Sequence, residues 1–210
     1  MQTVLYLHGF ASSPAGRKIA LLREALPADE YSVVAPDLNR PSFGKLDFKA
    51  IVAAALEAAE ADPPAVVVGS SLGALAALEA ARRGIEAPLV LVAPALGFGR
   101  RWIERLAPGD PIPFFHHGEG REIPIHRHFF EQMALLSVDK DPPRPPVAIV
   151  MGVKDESVPF EGVYSTWRRW EASGLLAKGS RFIAIPDGDH GLVDHVDRIA
   201  EEIRTSATSG

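Results

Sequence analysis

Six short runs rich in Val, Ile and Leu, at residues 3–7, 31–36, 65–69, 88–93, 146–152 and 181–186, alternate along the chain with segments of helical apolar periodicity at 14–26, 46–61, 72–83, 160–173 and 193–203. Each run is bounded by Gly, Pro or Asp and lacks regular polar alternation, so the strands it predicts need cover on both faces. In the last helical pattern Val193, Val196, Ile199, Ala200 and Ile203 share one stripe, and Gly84 marks the stop of the third. Strict alternation of this kind predicts an α/β fold: a mostly parallel sheet of about six strands, helices on both faces, right-handed crossovers, and a ligand site at the carboxyl ends of the strands.

The rhythm breaks once. Residues 97–144 carry no clean strand period, hold Phe98, Trp102, Phe114, Phe115, Phe129 and Phe130, and run into a proline-rich stretch, Asp141 to Pro146. A structureless segment of that length inside a domain usually serves as a binding loop. It is therefore expected to be a lid or cap inserted into a single domain spanning 1–210. Phe98, Trp102 and Phe129 are the candidates for lining a substrate pocket beneath it, and packing within the insertion is the other use for such rings.

Composition narrows the partners. With 47% hydrophobic and 23% charged residues, 210 residues suffice for one sizeable core, and disorder is excluded. A net charge of −5 argues against a nucleic acid or an anionic membrane as partner, because both recruit basic faces. The absence of Cys removes disulfides, thiolate zinc sites and a cysteine nucleophile. The opening MQTVLYLHGF has no basic leader region, and no stretch approaches the apolar length of a membrane span, so a cytoplasmic protein acting on a small molecule is expected.

Gly69-Ser70-Ser71-Leu72-Gly73 stands directly between the third apolar run and the third helical pattern. A nucleophile on so sharp a strand-to-helix turn needs neighbours two before and two after it that are nearly free of side chain, which Gly69 and Gly73 provide. Ser71 would project at the top of the sheet, and the Leu72 N–H, at a helix N-terminus, would face an oxyanion formed there. The alternative is a turn in which Ser70 or Ser71 merely caps the helix.

A nucleophilic serine requires a base, and the base requires a carboxylate to orient it. Asp155 follows the fifth run in GVKDESVP, and His190 follows the sixth in DGDHGL. The order Ser, Asp, His differs from both serine-protease orders, and all three stand at predicted strand ends. Glu156 competes with Asp155 as orienter; His195, placed inside the last helix, is the weaker rival of His190. Asp187, Asp189 and Asp194 read as turn or cap residues. At the end of the first strand, His8-Gly9 lets backbone approach the substrate, with the Phe10 N–H as a second oxyanion donor, while Ser12 or Ser13 caps a helix begun by Pro14.

LHGFASS, GSSLGA, GVKDESVP and GDHGL, in this order, resemble the α/β-hydrolase superfamily over nearly the whole chain. The short form that begins at the HG strand is similar to small bacterial esterases of the YqiA type. The resemblance implies Ser71 as nucleophile, Asp155 as acid, His190 as base, and the Phe10 and Leu72 amides as oxyanion hole, on a sheet lacking the usual first two antiparallel strands.

His116, His117, His126 and His128, with Glu119 and Glu122, lack the H-E-x-x-H spacing, so no metal is expected. Gly97-Phe98-Gly99 lacks the third glycine of a dinucleotide fingerprint and no P-loop occurs, so no cofactor is expected either. The expected function is hydrolysis of carboxylic esters with small to medium acyl groups through an acyl-serine. A thioesterase, lactonase or C–C hydrolase would use the same residues, and a non-catalytic binding or scaffold protein could keep the same fold.

Overall fold

The computed structural model describes residues 1–97, 103–104, 106, 109–116, 119–137 and 140–208. Eight strands occur among them: β1 (Gln2–Leu7), β2 (Tyr31–Val34), β3 (Val66–Ser70), β4 (Leu89–Val92), β5 (Ile112–His116), β6 (Arg121–Ile125), β7 (Val147–Gly152) and β8 (Arg181–Ile185). Six of them pair in parallel in the order β2-β1-β3-β4-β7-β8, while β5 and β6 form a separate antiparallel hairpin. The six apolar runs are the six strands of the parallel sheet. Every residue of β3, β4 and β7 is buried, as expected for central strands covered on both faces.

The cover is helical. Helices α1 (Arg17–Ala25), α2 (Phe48–Ala61), α3 (Leu72–Arg82), α5 (Phe160–Ser173) and α6 (Val196–Ala207) arise from the five periodic segments, and α4 (Arg127–Ala134) lies between β6 and β7. Helix α1 packs against α6 and α2 against α3, so each pair protects its own face of the sheet. In α3 (LGALAALEAAR), alanines and Gly73 keep the helix thin enough to lie against β3 and β1.

Two local expectations are corrected. The 193–203 pattern is not one helix: Val193–His195 form a 3₁₀ turn preceded by Leu192 in the left-handed region at φ 47°, and α6 begins only at Val196. Residues 97–144, expected to lack secondary structure, contain β5, β6 and α4. Proline in both strands obscures the hairpin, because Pro113 and Pro124 have no N–H for a ladder. They stand opposite each other in a two-stranded ribbon, where every strand is an edge. Ile123 of β6 packs on the 3₁₀ turn Phe43–Lys45, at Gly44, and α4 packs on α2.

Register brings the strand ends level. Leu7 pairs with Gly69, Ser70 with Val92, and Gly152 with Ile185. The loops after β1, β3, β7 and β8 therefore open along one edge of the sheet, where open α/β sheets place their ligands.

Candidate active site

Ser71 links β3 directly to α3, with φ 54° and ψ −113°, a conformation that L-residues rarely adopt. Its N–H donates to the Val92 carbonyl at 2.9 Å, and its own carbonyl accepts from Ala74 and Ala95, so the turn is held from α3 and from the loop after β4. The flanking glycines answer to contact. A Cβ on Gly69 would lie 2.6 Å from the Ala74 Cα, and one on Gly73 would lie 2.0 Å from the Leu7 carbonyl oxygen. No side chain fits either gap.

His190 reaches Ser71 from the loop after β8. Its Nε2 is 3.1 Å from Ser71 Oγ and its Nδ1 2.8 Å from Asp155 Oδ2. Asp155 Oδ1 accepts N–H bonds from Ser157 and Val158 at 2.9 and 2.7 Å, and its side chain is wholly buried, so the carboxylate has one orientation. The loops carrying Asp155 and His190 are stitched together by Val153 N–H to the Ile185 carbonyl and Lys154 N–H to the Gly188 carbonyl, both 2.9 Å. Backbone pairing thus sets the distance between carboxylate and imidazole before their side chains meet.

Of the competing residues, Glu156 is exposed, and Asp155 takes the place beside His190. His195 pairs with Asp187 at 3.4 Å, and Asp189 accepts the Leu192 N–H at 2.8 Å as a turn residue.

The HG dipeptide has a definite job in the loop. His8 is buried; its Nδ1–H donates to the Gly9 carbonyl at 3.0 Å and its Nε2 accepts the Leu38 N–H at 3.0 Å. Burial holds its pKa below the ordinary value, so it stays neutral. Because a trans peptide places C=O and N–H on opposite sides, anchoring the Gly9 carbonyl on His8 turns the Phe10 N–H away from it. Gly9 itself approaches Ser71 closely, a Cβ there falling 3.3 Å from the Ser71 Cβ.

The Phe10 ring packs with Phe43 and Phe114 at 5.3 Å and with Phe129 and Phe130 at 6.2 Å. Phe129 is buried behind Phe10 in this cluster, and Phe98 and Trp102 lie outside the described residues. His116, buried on β5, stacks edge-on against Phe43, while His126 and His128 face Asp110 and Glu131 at the surface. Among the described residues no three metal-ligating side chains gather, and no helix is long and apolar enough to cross a membrane.

A cleft of about 160 Å³ opens over the serine, lined by Gly9, Phe10, Arg17, Lys18, Ser71 and His190 among others. Sequence reading missed Lys18. Its Nζ donates to Ser70 Oγ at 3.1 Å, and the Tyr6 phenol meets the same hydroxyl. Burial lowers its pKa to about 8, with the charges of Asp189 and Asp155 partly offsetting that effect. A lysine beside the core residue Ile19 on a short surface helix carries no local mark of this position.

Known proteins share this fold. The model of an uncharacterised protein family, UPF0227, matches residues 3–169. Among solved structures the chain is similar to Est1E from Butyrivibrio proteoclasticus with ferulic acid bound (TM-score 0.75, 20% identity, 97% of this chain and 87% of that one). It is also similar to the esterase domain of a Rhodothermus marinus protein (0.70, 20%, 96% and 84%) and to mouse alpha/beta hydrolase domain-containing protein 10 (0.69, 20%, 97% and 87%). No curated protein matches it in sequence. At these identities the likeness is one of fold, and the fold is that of the α/β hydrolases.

Proposed function

This chain belongs to the UPF0227 family, and from that premise we propose that it is a serine hydrolase that cleaves carboxylic esters of small to medium acyl groups. The observation that carries the reading is the line from Ser71 Oγ through His190 to Asp155, at 3.1 and 2.8 Å, on a serine held in a strained turn. A serine that only capped a helix would need neither base nor buried carboxylate.

In the proposed reaction Ser71 Oγ attacks the ester carbonyl carbon while His190 Nε2 takes its proton. Asp155 holds the Nδ1–H and stabilises the imidazolium. The Phe10 and Leu72 amides receive the charge that develops on the carbonyl oxygen, each such donor being worth about 10²–10³ in rate. Collapse breaks the C–O bond to the alcohol, which leaves with the proton from His190. Water, deprotonated by the same imidazole, then attacks the acyl-Ser71 carbonyl, releasing the acid and returning the proton to Ser71. Residues 97–144 act as the lid of this single domain, since Phe114, Phe129 and Phe130 pack on the ring of Phe10. The substrate is a small molecule because the cleft is small, and an ester is favoured by the fold relatives, one of them an esterase domain.

The test is intact mass after exposure to an alkyl fluorophosphonate, which reacts with activated serines irrespective of substrate preference. One adduct on the wild type and none on Ser71→Ala is the expected result. A folded wild type that takes up no reagent would overturn the reading in favour of a binding protein.

A further inference from the structure

Two charged side chains at the cleft, Arg17 and Lys18, take no part in the steps above. Both line the cavity that holds Ser71 and His190. Lys18 spends one of its three ammonium protons on Ser70 Oγ, and among the described residues neither cation forms an ion pair. Scarcity of acid does not explain this, because the chain carries 27 Asp and Glu against 22 Lys and Arg. Elsewhere Arg83, Arg121, Arg168, Arg181 and Arg198 pair with glutamates, while Arg23, Arg40, Arg82 and Arg204 donate to backbone carbonyls. Lys18 is half-buried, and the charges of Asp155 and Asp189, neither within ion-pair distance, offset the cost of desolvating its ammonium only in part. The start of α1 adds to the same field, for Gly16 at its N-cap offers no side chain to its N–H groups.

We propose that Lys18, with Arg17 at the rim, binds an anionic oxygen group of the substrate, so that the preferred esters carry a carboxylate or phosphate close to the scissile bond. The inference rests on the ester-hydrolase reading and specifies its substrate class. Proximity follows from the chain: Lys18 is bonded to the residue immediately before the nucleophile, and consecutive Cα atoms are only about 3.8 Å apart. The anion therefore belongs on a short acyl or alcohol arm.

The titratable and charged groups around the ammonium are Tyr6 from β1, His8 from the loop after it, Arg17 from its own helix, Asp155 from the loop after β7, and Asp189 and His190 from the loop after β8, and His8, held below its ordinary pKa by burial, is neutral across the range of the test. His190 serves both members of a charged and neutral ester pair, so its part in the reaction cancels from their ratio. Tyr6 titrates far above the range because burial raises its pKa. Loss of anionic preference as the pH rises through about 8 would thus report Lys18 in the free enzyme.

The experiment compares kcat/KM for monoethyl against diethyl succinate, and for 2-acetoxyethyl phosphate against 2-hydroxyethyl acetate, in the wild type, Lys18→Met and Lys18→Arg. At least one charged ester should be preferred about tenfold or more by the wild type, the scale of one charge-assisted hydrogen bond. The pair showing it identifies carboxylate or phosphate. Lys18→Met should bring that ratio near one and Lys18→Arg should keep part of it, and the wild-type ratio should fall above pH 8 without need of any variant. Hydrolysis of the neutral esters with a Ser71 adduct but no anionic preference would overturn this inference alone. Absence of hydrolysis together with absence of adduct would overturn the ester-hydrolase reading itself.

Discussion

At Ser71 the backbone holds a conformation that costs about 1–3 kcal/mol, and it persists because neighbouring residues leave it no other. Gly69 and Gly73 are legible in the sequence for this reason: each is the only residue type that fits its gap. Asp155 was less legible, since Glu156 beside it offers the same chemistry one bond longer. Position decided between them, for Asp155 is buried with two backbone N–H groups on one oxygen and His190 on the other. Under the proposed mechanism Asp155→Asn should lower kcat by about 10³–10⁴ by favouring the wrong imidazole tautomer. Glu156→Gln, at an exposed position, should change it by less than about threefold. Ester turnover by the two variants checks this, and a reversed order would reassign the orienting carboxylate.

Among the elements, α4 shows how the segment between β4 and β7 is tied to the sheet domain. Asp47 caps α2 by accepting the Ala50 N–H at 3.0 Å, while Gln132 of α4 donates to Asp47 Oδ2 at 2.8 Å and accepts the Phe48 N–H at 3.1 Å. One side-chain pair thus satisfies the open end of one helix and fastens another to it. These bonds, the one from Gln132 first, hold the Asp47 carboxyl below its usual pKa. Asp47→Ala should cost about 1–2 kcal/mol and Gln132→Ala about 1 kcal/mol, read as a lower urea midpoint, with faster proteolysis between β4 and β7 in both. Unchanged midpoints would mean that the aromatic cluster alone docks the segment. The sequence did not reveal this tie, because Asp47 and Gln132 are 85 positions apart and each reads by itself as an ordinary polar residue on a helix.

For the whole molecule, stability should depend on a histidine that also shapes the loop beside Ser71. His8 joins the end of β1 to the loop at Leu38 and must offer Nε2 as an acceptor, so protonation breaks that join and places a charge in the interior. Its folded pKa lies below the ordinary imidazole value of 6.5. The unfolded chain therefore binds more protons as the pH falls, and the stability held above about 6.5 is lost as the pH drops through the folded pKa. Urea unfolding at pH 7.5 and pH 5 should show this fall, and His8→Gln should flatten it; an equal slope in the variant would place the proton uptake elsewhere. The sequence by itself determined the chain order of the six sheet strands and the five helices that follow them, the glycine-flanked turn at Ser71 and the strand ends bearing Asp155 and His190, because periodicity and close-contact glycines are written locally. Tertiary structure alone decided that Asp155 rather than Glu156 meets the imidazole, that two proline-containing runs pair as a hairpin, and that Lys18 enters the cleft. Each of those depends on groups brought together from distant parts of the chain, and burial, which sets the cost of an unpaired charge or N–H, exists only once the chain has folded.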